Sequence, residues 1–206
     1  MAIVTISRMY GSGGSLVARR VAEALGWDLL DNGVVDAVAK RLGVSPAEVS
    51  AHEERAPSLV ERLAAALTLS VPEMLPMADD ALPPTDERIV AVTKAVIEEA
   101  VQTGPAVLVG RGAQCLLAGR PDALHVFCYA PRAALAAFVI SDQGVSNDEA
   151  LRIVDSMNRQ REQYVMQHWH REWRAEENYD LCVNTGTLGI EGAARLVTEL
   201  ARERFE

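Results

Sequence analysis

The chain has 206 residues, 49% of them hydrophobic and 24% charged, with a formal net charge of −9. That length accommodates one domain, or one domain with a small insertion, around a full core. The acidic balance excludes a nucleic acid polymer as the main partner, because such binding rests on neutralising phosphates, but it allows a small nucleotide held in one local positive pocket.

Residues 2–6 form a short apolar run rich in β-branched side chains and read as a buried strand. Gly11, Gly13 and Gly14 follow, in a loop free to adopt backbone angles closed to other residues. Residues 15–25 are then helical, with Val17, Val21 and Leu25 on one face. Strand, glycine loop and helix together make an anion site, where amide N–H groups converge and the helix dipole adds positive potential. Laying the pattern G-x-x-x-x-G-K-[ST] on Arg8–Ser15 puts Gly13 at its second glycine and Ser15 at its magnesium-binding hydroxyl. Arg8 replaces the first glycine and Gly14 replaces the lysine. The same glycines would also serve a strand–helix turn that needs them for geometry alone.

Gly26 is placed to cap the first helix. Residues 28–30 make a second short strand ending at Asp31 and Asn32. In open α/β sheets the strand C-termini face the ligand crevice, so both are site candidates. An Asx turn leading into a helix cap explains them equally well. A helix over 34–42 ends at Gly43. Ser45–Glu48 and Ser58–Glu61 have capping-box spacing, so residues 45–84 read as a helical insertion that becomes irregular after Pro72. A helix opening at Thr85, carrying Arg88 and Lys94, stops at Gly104-Pro105.

The third strand, 106–109, runs into Gly110-Arg111-Gly112. Glycines at a strand end let a ligand come close, and the guanidinium between them suits phosphate or carboxylate. An ion pair with a neighbouring helix is the other use for that arginine. The fourth strand covers 125–130, and a helix covers 133–141. Ser146 and Glu149 form another capping box opening a long helix towards His168, with Leu151, Val154 and Met157 as its apolar stripe. Arg152, Arg159 and Arg161 are spread over its remaining surface. His168 and His170 point to different helical faces and have no obvious third ligand, which argues against a metal site. Residues 180–184 give a fifth strand, 185–188 a turn, and 190–205 a closing helix. Five strands alternating with helices predict an α/β fold, with a parallel sheet covered on both faces.

Cys115, Cys128 and Cys182 read as buried thiols of a reducing compartment, not as a disulfide set or a zinc site. No leader pattern precedes the first strand and no apolar run reaches membrane-spanning length, so the expected location is the cytoplasm, with no membrane partner. Oligomeric state is not legible.

Several separated segments resemble the cytidylate kinase-like proteins of the nucleoside monophosphate kinase group. They are ISRMYGSGGSLVARRVAEALGW, VLVGRGA, HVFCYAP, the Asn158-Arg159-Gln160-Arg161 run with Tyr164, and NYDLCVNTGTLGIEGAARLV. The resemblance implies a P-loop kinase type of fold in a single domain. In it, 45–84 would be the acceptor-binding insertion and 145–178 the lid. It implies ATP and Mg²⁺ as cofactors, and small nucleotides as partners, with CMP or dCMP as acceptor. Gly11, Ser12, Gly13, Gly14 and Ser15 would hold the donor phosphates, with Ser15 touching Mg²⁺. Arg111, Arg88 and Asp31 would serve the acceptor. Arg8, Arg159 and Arg161 would carry catalysis, and the backbone of 184–187 would face the donor base. The chain departs from the family pattern at Gly14 (no lysine), at Gly112 (no aspartate after Arg111) and at Asn158 (no aspartate beside the lid arginines). A nucleotide-binding regulator on the same fold, or a phosphotransferase for another small molecule, remains the alternative at this stage.

Overall fold

The computed structural model describes residues 1–43, 45 and 86–205, except for the side chains of residues 32, 33, 35, 36 and 86. The capping boxes and helices read within 45–84, and the cap at Thr85, lie outside the described residues. So does the side chain of Asn32.

Five parallel strands form one sheet: β1 Ile3–Arg8, β2 Asp28–Leu30, β3 Ala106–Val109, β4 Ala123–Tyr129 and β5 Leu181–Asn184. Their spatial order is β2-β3-β1-β4-β5, and every neighbouring pair is parallel. β1 runs two residues further than its apolar stretch indicates. Ser7 and Arg8 still pair with Phe127 and Cys128, which makes Arg8 the last residue of the central strand.

Helices cover both faces: α1 Gly14–Leu25, α2 Asn32–Leu42, α3 Asp86–Thr103, α4 Ala113–Leu116, α5 Arg132–Gln143, α6 Asn147–Trp169 and α7 Thr185–Phe205. Alternation along each strand decides which helix meets which residue. Val4, Ile6, Val107 and Val126 face α1 and α7, where they meet Val17, Val21 and Val197. Ile3 and Leu108 face the other way, towards Val38, Ile89 and Ile97 of α2 and α3. The α5–α6 pair has its own core of Leu135, Val139 and Val154.

Local signals explain most boundaries. Gly26 and Gly43 take left-handed angles and return their N–H groups to Ala22 and Ala39. Ser146 caps α6 by accepting from the Glu149 N–H, but the box is only half made, because the Glu149 carboxylate turns to Arg152 instead. The expected turn over 185–188 is helical and joins α7 through a break at Gly189, whose φ of 67° and ψ of 173° leave the helix. Cys115 and Cys128 are buried as expected, whereas Cys182 is exposed, because it lies on the edge strand β5. No helix among the described residues is long and apolar enough to cross a membrane.

Candidate functional site

The C-terminal ends of β1 and β3 open into a cleft of roughly 160 Å³, closed on one side by α6. It is lined by Ser7 and Arg8 of β1, by Asp31 after β2, by Val109 to Gly112 after β3, and by Gln114 on α4. From α6 come Met157, Gln160, Arg161, Tyr164 and Val165. These five are spaced i, i+3, i+4, i+7 and i+8, so they form a single helical stripe. Three guanidiniums and one carboxylate line the cleft, giving an acidic protein a local positive pocket.

The glycine loop borders this cleft. Gly11 (φ 80°) and Gly13 (φ 69°) are left-handed, and a Cβ on Gly11 would press to 2.5 Å from the Leu135 carbonyl oxygen. Gly13 is the N-cap of α1 and offers no side chain to the first turn. The Ser12 hydroxyl donates to the Met9 carbonyl at 2.8 Å and accepts from the Gly14 N–H, so it braces the loop from within. Ser15 is half-buried in the first helical turn. A helix N-terminus built from such a loop suits phosphate oxygens.

Gly14 is required for a different reason. Its φ is ordinary, but an added Cβ would collide with Arg8 Cβ and come to 3.0 Å from Arg8 Cγ and 3.1 Å from Cys128 Cβ. A Cβ on Gly110 would in turn collide with Arg8 Nη1. The Arg8 side chain therefore passes over Gly14 and delivers its guanidinium to the end of β3. Burial pushes the Cys128 thiol beneath it up to about 12, with the Arg8 charge pulling weakly the other way, so this cysteine is not a nucleophile.

Helix α6 grips the loop at two points. Asn158, 3% exposed, accepts from the Tyr10 N–H at 2.7 Å, and Arg161 donates from Nη1 to the Arg8 carbonyl at 2.7 Å. The Arg161 guanidinium also lies 5.5 Å from the centre of the Tyr10 ring. At the C-terminal end of α6, Trp169 covers Gly112 so closely that a Cβ there would enter its ring, and Lys94 sits over the other part of the indole at 5.2 Å.

Arg111 has φ 54° between Gly110 at 70° and Gly112 at 67°. A left-handed arginine is strained, and such strain is usually found where a side chain must be aimed. Asp31 occupies the N-cap position of α2, yet its side chain makes no capping bond, which leaves its carboxylate on the cleft wall.

The structure thus brings Arg8, Asp31, Arg111 and Arg161 together beside the glycine loop. It does not bring Arg88 or Arg159 there. Arg88 is exposed on α3. Arg159, two residues from Arg161 and so on another side of α6, lines a separate groove with Arg132, Asp155 and Glu162. Sequence reading missed Gln114 and Gln160. Extending the Met157 stripe by helical period would have found Gln160 and separated Arg161 from Arg159.

ATP suits this arrangement through the loop amides and the positive cleft. Mg²⁺ commonly binds through one or two protein oxygens plus substrate phosphates, and the Ser15 hydroxyl and Asp31 carboxylate are the groups of that kind present.

A family model described as the cytidylate kinase-like family matches residues 3–187. No curated protein matches the sequence. Among solved structures, the chain resembles an uncharacterized protein from Eubacterium ventriosum ATCC 27560, with TM-score 0.72, 20% identity, and 98% of this chain and 99% of that one covered. It also resembles shikimate kinase from Bacteroides thetaiotaomicron, with TM-score 0.53, 12% identity, and 98% of each chain covered. A gluconokinase from Sinorhizobium meliloti 1021 gives TM-score 0.50 and 14% identity, over 98% of this chain and 94% of that one. The fold is that of the P-loop kinases.

Proposed function

The chain belongs to the cytidylate kinase-like family, and from that premise we propose that it transfers a phosphoryl group from ATP to a pyrimidine nucleoside monophosphate, CMP or dCMP. One observation carries the reading: Arg8, Arg111, Arg161 and Asp31 meet in one cleft at the edge of the glycine loop. When bound, ATP with Mg²⁺ supplies the phosphoryl group and neutralises part of its charge. The loop amides from Gly11 to Ser15 hold the donor phosphates, and the Ser15 hydroxyl faces the metal. Arg111 holds the acceptor phosphate. Arg8, delivered across Gly14, supplies the positive charge that the missing lysine would give. Arg161 adds charge from the 145–178 lid, and α6 shuts water out of the cleft. A cleft of roughly 160 Å³ is below the ~300 Å³ of common ligand pockets, so a whole nucleotide enters only when α6 moves outward.

Asn158 favours a second reading. It replaces the aspartate of the family pattern and is spent on the Tyr10 N–H, and a chain so equipped would suit a nucleotide-binding regulator without turnover. A coupled assay with ATP·Mg²⁺ and a panel of monophosphates separates the two. Turnover with CMP or dCMP, lost in Arg111→Ala, supports the kinase. Calorimetric binding of ATP without turnover on any acceptor supports the regulator.

A further inference from the structure

Two amides in the cleft have no part in the phosphate chemistry. Gln114 is 2% exposed and lines the cleft, and its side chain forms no hydrogen bond among the described residues. Gln160 lines the facing wall, with its Oε1 buried and without a partner among those residues. Buried polar groups nearly always have partners, so an unpaired one marks a place where something else completes the bond. Two of them share a small cleft with three guanidiniums. The guanidiniums suit the anionic end of an acceptor, and the neutral amides suit its uncharged end.

We propose that Gln114 and Gln160 read the base of the acceptor nucleotide, and that the site takes cytosine and uracil alike. The inference rests on the nucleoside monophosphate kinase reading above. An amide offers one donor and one acceptor side by side. Cytosine presents a 4-amino donor beside the N3 acceptor, whereas uracil presents the reverse, a 4-oxo acceptor beside an N3–H donor. An amide fixed by a protein neighbour shows one pattern and selects one base. No protein bond fixes these two, and the terminal amide torsion is broad and roughly two-fold, so each can turn to match either base. Gln114 sits on the sheet side and is in place before the acceptor enters. Gln160 arrives with α6 when the cleft closes.

The test is steady-state kinetics with CMP and UMP at saturating ATP, on the parent, Gln114→Met and Gln160→Met, together with melting curves of the free proteins. The parent should use both acceptors with kcat/KM values within about tenfold of each other. Each Met variant should raise KM for both by about tenfold, with KM for ATP unchanged, as expected when a bound partner loses its hydrogen bond. The free variants should melt no lower than the parent, because an apolar isostere of an unpaired buried amide costs the fold nothing. A parent that strongly prefers one base, or Met variants with unchanged acceptor KM, would overturn this inference alone. So would melting temperatures that drop, which would make the amides structural. A parent that phosphorylates neither nucleotide would overturn the proposed function and this inference together.

Discussion

The side chain of Arg8 fills the space that any side chain at position 14 would have to enter. The two departures from the standard phosphate-loop pattern are therefore one structural change. An arginine at the end of β1 needs a glycine at the head of α1, and a lysine there would need a glycine at position 8.

This coupling predicts non-additive mutants. Gly14→Ala should cost about 1–3 kcal/mol, since the blocking atom is the rigid Arg8 Cβ and not a flexible tip. Removing the obstacle with Arg8→Gly should recover most of that loss. Urea denaturation of the parent, both single variants and the double variant measures the interaction, expected at roughly 0.5–3 kcal/mol. Additive effects would mean that the two positions are independent.

Asn158 links the long helix to the loop. Asn158→Ala leaves the Tyr10 N–H without its acceptor and should destabilise the chain by about 1–3 kcal/mol. Asn158→Asp retains an acceptor oxygen and should lose less. Equal loss in both variants, measured by urea midpoint, would show that this bond contributes little to stability.

The sheet was readable because its strands are short β-branched runs punctuated by glycine and proline, as in AVLV before Gly110. Its helices were readable from their caps at Gly26, Gly43 and Ser146. The glycine loop and Arg111 stood out because glycines beside polar residues at a strand end have few other uses. Three features were not legible. The one-turn helix α4 is too short to show a period. The exposure of Cys182 depends on which strand becomes the sheet edge, a property of strand order and not of local sequence. The coupling of Arg8 to Gly14 depends on where a side chain travels in space, and adjacency in a motif cannot show that.

Acid should weaken the protein through His125. Its ring accepts or donates at 2.8 Å to the Thr5 hydroxyl inside the sheet, and burial is the main cause holding its pKa below the ordinary value, with Asp180 pulling the other way. A group whose folded pKa is depressed gives stability that is fully present above its unfolded value, about 6.5 for histidine, and is lost as pH falls through the folded value. Stability should therefore begin to decline below about pH 6.5. In His125→Gln that part of the decline should vanish. An unchanged pH profile in the variant would assign the decline to other groups.

The central claim is that Arg8 does the work of the missing lysine. Calorimetric titration of ATP·Mg²⁺ into Arg8→Ala, paired with the coupled assay, tests it most directly. ATP affinity should fall by about tenfold and turnover by about a hundredfold, the scale of losing one charged donor to a developing charge. Affinity and turnover equal to the parent's would contradict the account.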